Sequence, residues 1–228
     1  MFKKNIFTFL EALSANNHKD WMDAHRSEYL AAKQVWLDEI ERLLQMLGKY
    51  DPVIPVKFQP KDTITRINNN RRFHPDRPPY KDRFTFTLTE EEGLFCPLHI
   101  SVSPSGSFLG CGYHQPEKET LDNIRDAIDY EGEKLLEILN EPLFKAYYGG
   151  LSDFGGKLKT APKGYGKDHP FVELLRYKRF VIERPLAQGE VIADAFVEEV
   201  EKAHIISKPF RDFLKRANSV SAGEGPSI

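Results

Sequence analysis

Apolar residues recur every three or four positions through the first fifty residues of the chain. Ile6, Phe9, Leu10 and Leu13 share one helical face, and Asn16-Asn17 interrupts it. Asn17 has the chemistry of an N-cap, with Asp20 three residues on in a weak form of the capping box. Met22, His25, Tyr29, Ala32, Trp36, Ile40, Leu43 and Leu47 then predict one helix of about eight turns with a single buried stripe. Gly48 and Asp51-Pro52 end it.

The period shortens in the middle of the chain. Val56 to Ile67 reads as extended. Phe84, Phe86 and Leu88 alternate with Thr85, Thr87 and Thr89, the pattern of a half-buried strand. Leu98–Ser103 and Ser107–Tyr113 predict two more strands, joined at Ser105-Gly106 by a tight hairpin turn. In that register Ile100 faces Cys111 and Val102 faces Leu109 on the core side. His99, Ser101, Ser103, Gly110, Gly112 and His114 collect on the other side.

Glu117 to Asn140 is a helix with Leu121, Ile124, Ile128, Leu135, Leu136 and Leu139 inside. A short aromatic helix runs from Pro142 to Gly149-Gly150. Asp168 is placed to cap a helix that has Pro170 near its first turn. Phe180–Glu183 is a late strand. Two helices follow, over residues 189–204 and 207–216. Residues 1–217 are expected to form a single domain, and residues 218–228 a disordered tail. The fold class is α+β, a mainly antiparallel sheet of about five strands with helices from both chain ends packed on it.

Composition adds little until charge is mapped by position. The formal net charge of −2 argues against coating nucleic acid by bulk electrostatics. Residues 57–83 carry eight Lys/Arg and three Asp, and residues 155–179 carry seven Lys/Arg and two acids. Between them, residues 117–145 hold nine acids and four bases. Cys96 and Cys111 are read as free thiols of a reduced, cytoplasmic protein. The start, MFKKNIFTFLEAL, reads as an amphipathic helix, and no apolar run approaches a membrane span.

RINNNRRFHPDRPPYKDRF, residues 66–84, concentrates the first positive cluster. Pro75, Pro78 and Pro79 stiffen it, and Asn68, Asn69 and Asn70 are turn formers. Arg66, Arg71, Arg72, Arg77, Lys81 and Arg83 repel one another unless anions intervene. Arg also suits two-pronged gripping of carboxylate or phosphate. The cluster therefore reads as a preorganised anion site with Tyr80 as hydroxyl donor or stacking surface. The competing reading is local pairing with Asp62, Asp76, Asp82 and the acidic helices. Lys157, Lys159, Lys163 and Lys167 sit among Gly155, Gly156 and Gly164, and they form one pocket rim with the first cluster if the two segments converge.

No cofactor signature is present, neither G-x-x-x-x-G-K-[ST] nor G-x-G-x-x-G. The histidines and cysteines lack metal-ligand spacing. His25 is expected as a hydrogen-bonded core residue, and Cys111 as a packed thiol rather than a nucleophile served by His114.

RINNNRRFHPDRPPYKDRF, SVSPSGSFLGCGYHQPE and LKTAPKGYGKDHPFVELLRYKRF together resemble the domain of unknown function 2461 family, from FLEALSANNHKDWMDAHRSEY to about residue 215. The first motif departs from the family's usual form: Asn69-Asn70 replace an Arg-Asp pair, His74 a Ser and Arg77 a Lys. The resemblance implies a single α/β-type domain and brings no activity or catalytic residue with it.

The expectation is a protein that binds a small phosphate- or carboxylate-bearing ligand on two basic loops. Arg66, Arg71, Arg72, Tyr80 and Lys81 would come from one loop, and Lys159 and Lys163 from the other. The alternatives are an enzyme acting on a phosphorylated or carboxylated metabolite, with His114 or His169 as general base, or a small nucleic-acid-binding module. No metal, cofactor or membrane partner is expected.

Overall fold

The computed structural model describes residues 3–72, 74–89 and 95–219. The tail expected from residue 218 therefore lies outside the described residues from 220 onward. In chain order the elements begin with α1 (Lys4–Ala15), α2 (Lys19–Ala24), α3 (Arg26–Leu47) and α4 (Ile54–Lys57). The strands β1 (Phe84–Leu88), β2 (Cys96–Val102) and β3 (Ser107–Tyr113) come next, followed by α5 (Lys118–Asn140), α6 (Pro142–Tyr148) and α7 (Val172–Leu175). Last are β4 (Phe180–Leu186), α8 (Gln188–Ile192) and α9 (Phe196–Ser219).

The fold is α+β, with one four-stranded antiparallel sheet in the order β1-β2-β3-β4 among the described residues. The fifth strand expected over residues 56–67 does not form. That segment holds α4 and a 3-10 turn, Pro60–Asp62, each with proline in its first turn. Proline fixes φ and lacks the N–H a ladder needs, so those positions start helical turns instead.

The chain groups into two compact units. One comprises Met1–Thr87, His99–Leu109 and Pro185–Lys202, and the other Leu88–Leu98, Gly110–Arg184 and Ala203–Ile228. In the first unit, α1 buries Ile6, Phe9, Leu10 and Leu13, together with Phe7. The long helix predicted from Met22 is two helices, because His25 takes φ −107°, ψ 23° between them. Its Nδ1–H donates to the Trp21 carbonyl at 2.8 Å, and the ring stacks on the Trp21 indole at 4.1 Å. The Trp21 carbonyl also accepts from the His25 backbone N–H at 3.0 Å, so ring and backbone share it. Most of the stripe survives the break: Met22, Tyr29, Ala32, Trp36, Ile40, Leu43 and Leu47 are all buried, and His25 is half-buried.

Two polar contacts fix α3. Trp36 Nε1 donates to the Thr85 carbonyl of β1 at 3.0 Å. Glu39, 4% exposed, receives Lys3 Nζ at 2.7 Å and Arg42 Nη1 at 3.0 Å, and Lys3 also donates to the Ala193 carbonyl.

The β2–β3 turn occupies Ser103–Gly106 rather than two residues. Gly106 N–H donates to Ser103 O at 3.2 Å. Pro104 cannot extend the ladder and suits the second position of such a turn. Ile100, Val102, Leu109 and Cys111 are buried, but so are Ser101, Ser103, Gly110 and Gly112, so much of the expected polar face is covered too, while His99 is half-buried and His114 exposed. In the second unit Gly112 has φ 119°, and a Cβ there would stand 2.0 Å from the Phe180 carbonyl oxygen of β4.

α5 is broken at Glu131 (φ −136°, ψ 36°), beside Gly132, on which the Phe171 ring packs. The buried stripe of Ile124, Ile128, Gly132 and Leu135 nevertheless continues across the break. Leu136, expected inside, is 37% exposed, while Leu135 is buried. The C-terminal helices break at residues 193–195 rather than near 205, and Pro209 lies inside α9. Both Ile205 and Pro209 are exposed, so solvent can take the Ile205 carbonyl that Pro209 leaves without a donor.

A buried polar network links α9 and β3 within the second unit. Arg211 donates from Nη2 to His204 Nε2 at 3.1 Å and to His204 O at 2.8 Å, and from Nε to Ser207 Oγ at 3.2 Å. Burial pushes the Cys111 thiol up to about 11, against the opposing pull of Arg211 and Ser207. Cys111 is thus a packed thiol in poor condition to act as a nucleophile. Tyr148, held above its ordinary value mainly by burial, donates to Ala203 O at 2.7 Å.

Two outcomes follow from this packing. Gly112→Ala is expected to destabilise by roughly 2–4 kcal/mol, read as a lower urea midpoint, because both the positive φ and the Phe180 carbonyl exclude a Cβ. His204 is held down to about 3, first by burial and then by Arg211, Lys215 and Lys208. The unfolded ring titrates near ~6.5, so below that pH the unfolded chain takes up a proton that the folded one refuses. Stability should fall as pH drops from about 6.5 toward about 3, by at most ~1.4 kcal/mol per unit from this group. Urea melts across that range should show a shallower slope in His204→Gln than in the wild type.

Candidate functional site

The first basic loop belongs to the first unit and is tied at its base by backbone pairing. Asn69 N–H donates to Pro79 O at 2.9 Å, and Lys81 N–H to Ile67 O at 2.7 Å. Asn68 and Tyr80 form an antiparallel bridge between these bonds. Asn69 Nδ2 adds a bond to Pro78 O at 2.9 Å.

Asn17 does not cap α2. That role falls to His18, whose Nδ1 accepts from Trp21 N–H at 3.3 Å. The Asn17 amide instead pairs with the Tyr80 backbone on both sides. Its Oδ1 accepts from Tyr80 N–H at 3.0 Å, and its Nδ2 donates to Tyr80 O at 2.9 Å.

Several of the expected ligand-binding groups serve the loop itself. The Arg71 guanidinium donates to Pro75 O from Nη2 at 3.0 Å and from Nε at 3.3 Å. Lys81 Nζ donates to the carbonyls of Arg66 and Asn68. Burial, and then the Arg83 guanidinium, hold that ammonium below its ordinary value. Tyr80 is only 8% exposed. The exposed Arg72 has its N–H on Asn70 Oδ1 at 3.1 Å.

Arg66, Arg77 and Arg83 behave differently. All three are exposed, and among the described residues none makes a side-chain hydrogen bond or ion pair. Asp62, Asp76 and Asp82 likewise form no ion pair with the loop's cations among the described residues. A cleft of about 350 Å³ opens beside the loop, with Arg77, Arg83, Lys81 and Asp82 on its wall. Ser14 and Asn17, from the end of α1 and the turn after it, complete it with Asn69 and Tyr80. Arg77 and Arg83 were legible in the sequence as members of the cluster. Ser14 and Asn17 carried no signal, because they reach the cleft through the fold of α1 onto a loop more than fifty residues away.

The second basic segment belongs to the second unit. Leu158 N–H donates to Arg176 O at 2.8 Å, and Arg176 Nε returns to Leu158 O at 2.6 Å. Lys157 lies 4.3 Å over the Tyr177 ring and 3.7 Å from Glu173. Lys159 and Lys163 are exposed, with no hydrogen bond or ion pair among the described residues.

Asp168 is exposed and does not cap α7; the N-cap is Phe171, whose N–H donates to His169 Nδ1 at 3.1 Å. Because Nδ1 accepts that bond, the proton sits on Nε2 and is donated to Asp129 Oδ1 at 2.8 Å. Tyr165 OH donates to Asp126 Oδ1 at 2.8 Å. Burial, then Asp126, raises the Tyr165 hydroxyl well above its ordinary value. Part of the acidic face of α5 is thus used to hold this segment. Both His169 nitrogens are occupied, so it can serve as a base only by giving up a bond.

His114 is exposed, next to Phe154. Among the described residues no group of three His, Cys, Asp or Glu side chains is placed to share a metal ion. No described helix is long and apolar enough to cross a membrane.

Neither the curated proteins nor the solved structures give a match. The family model described as "Conserved hypothetical protein (DUF2461)" matches residues 5–213, both basic segments included, and the chain belongs to that family.

Proposed function

We propose that the protein binds a small phosphate- or carboxylate-bearing ligand in the cleft beside its first basic loop, in a reducing cytoplasmic setting suited to cysteines held outside any disulfide. The observation that carries this reading is the pair Arg77 and Arg83 on the cleft wall, without a carboxylate partner among the described residues. Like charges gathered on a braced loop raise the local potential, and an oxyanion relieves it. Arg66 and the third proton of Lys81 add to the field. Asn69 and Ser14 offer polar atoms to the rest of a ligand.

Binding fits this arrangement better than catalysis. Among the described residues Asp82 is the one carboxylate of the cleft, and no histidine lines it. A single-stranded nucleic-acid surface needs exposed aromatics among the cations, whereas Tyr80 and Phe84, the aromatics of this loop among the described residues, are buried. Lys159 and Lys163 belong to the second unit, and the proposal for the cleft rests on the first loop's own residues.

Thermal-shift and calorimetric titration with inorganic phosphate, sugar phosphates and small carboxylates tests the reading. At a hundredfold excess over Kd, a ligand should add about 2.7 kcal/mol of stability. The Arg77→Ser/Arg83→Ser double variant should fold normally and lose at least about tenfold in affinity, given ~1.5–3 kcal/mol for each charge-assisted bond. Unchanged affinity in that variant would remove the basis of the proposal. Tight oligonucleotide binding that falls steeply with salt would favour the nucleic-acid alternative instead.

Asn17→Ala should cost about 1–2 kcal/mol through the two lost hydrogen bonds and weaken ligand binding in parallel. Arg71→Ser should lower the melting temperature with a smaller change in affinity than the Arg77/Arg83 pair.

A further inference from the structure

In the second unit a different arginine has no partner for a different reason. Arg179 precedes β4, and its guanidinium lies 5.0 Å from the centroid of the Phe154 ring. A Cβ on Gly155 would stand 2.8 Å from its Cζ and Nε, and Gly155 has φ 90°. The fork is thus pinned between an aromatic ring and bare glycine backbone, a place where a side chain cannot stand. Its Nη1 is buried and makes no hydrogen bond. Among the described residues no carboxylate pairs with it. Removing a guanidinium nitrogen from water without an acceptor is unfavourable, and such groups in native proteins call for an explanation. Arg179 as a whole stays half-buried, so part of its side chain is open to solvent although Nη1 itself is not.

The surroundings add a flat apolar surface. Phe154 is 63% exposed even with its contacts. His114 stacks on it at 5.7 Å and 17° between planes. Burial, then Arg179, hold the His114 ring below its ordinary value, against the pull of Glu183. At neutral pH the imidazole is therefore an uncharged stacking partner. Glu183 does not reach the fork; its Oε2 takes the Ser152 hydroxyl at 2.9 Å. An aromatic ring held open to solvent beside a pinned donor is costly to maintain as packing alone, because neither its area nor the fork's hydrogen bonds are used.

We propose that Phe154, Arg179 and His114 form a second ligand site, which takes a small molecule carrying a phosphate or carboxylate on a flat aromatic ring. The oxyanion meets the Arg179 fork, and the ring extends the Phe154–His114 stack. The site shares no residue with the Arg77–Arg83 cleft. It explains why two glycines follow Phe154: Gly155 makes room for the guanidinium, and Gly156, also at positive φ, turns the chain away by its bond to Asp153 O at 3.0 Å.

Calorimetric titration of the full chain with phenyl phosphate, methyl phosphate and benzoate tests this. Phenyl phosphate should bind about tenfold or more tighter than methyl phosphate, as stacking of about 1–3 kcal/mol implies. Phe154→Ala should bring the two phosphates to within about threefold of each other, and Arg179→Gln should weaken both. Arg77→Ser/Arg83→Ser should leave the ring preference intact, which separates this site from the cleft. Benzoate binding as tightly as phenyl phosphate would assign the oxyanion as carboxylate, and weaker binding would assign it as phosphate. The proposal is overturned if no ring-bearing anion binds at millimolar concentration, if the preference survives Phe154→Ala, or if it vanishes in the Arg77/Arg83 variant. Phe154 is exposed, so its alanine variant should fold and decide the matter even if Arg179→Gln does not.

Discussion

The first unit's candidate site depends on one side chain acting as a piece of backbone. An asparagine amide carries the same donor and acceptor as a peptide group, and Asn17 uses both on the peptide of Tyr80. The position is set by the prolines. Pro78 and Pro79 have no N–H, so Tyr80 supplies the first donor after Arg77 on that side of the loop. The proline carbonyls still accept, and Asn69 takes both of them. A segment with few buried apolar side chains is thereby closed by directional bonds, with α1 as the outer wall.

That closure decides which cations remain available. Lys81 lies inside the ring of carbonyls and is spent on two of them. Arg71 is drawn back to Pro75. What the loop cannot absorb it pushes outward, and Arg66, Arg77 and Arg83 are left without acid partners among the described residues. Two like charges ~4 Å apart cost only ~1 kcal/mol in water. The fold can therefore carry an unneutralised cluster at small expense, and the same cations act on an anion in a partly enclosed cleft where screening is weaker. The local pairing weighed against an anion site would have needed Asp62, Asp76 or Asp82 to turn toward them.

Periodicity revealed most of the helices and strands, because a stripe such as Tyr29, Trp36, Ile40 and Leu47 must face a core whatever lies opposite. Interruptions were harder to read. The break at His25 coincides with a ring bonding to the Trp21 carbonyl, a contact that no hydropathy pattern encodes. α9 runs unbroken from Phe196 through Pro209, where the sequence suggested one helix ending at 204 and another starting at 207, since an exposed proline costs one bond that water replaces. At the site, composition was enough to find the loop but not to sort its cations. Sorting required knowing which carbonyls turn inward, and that is set by Asn17, far off in sequence.

Arginines are left open by two distinct routes in this chain, and the difference bears on what each can recognise. Around Arg77 and Arg83 the cause is crowding. Several flexible side chains share a field, so recognition is by charge and tolerant of shape. Around Arg179 the cause is confinement. The fork is fixed by Phe154 on one side and the Gly155 backbone on the other, so it has lost its rotamer entropy before any ligand arrives. A fixed donor beside a fixed aromatic ring discriminates by geometry, favouring a ligand whose anion and ring are themselves rigidly joined. Field and fork therefore differ in selectivity even though both use the same functional group.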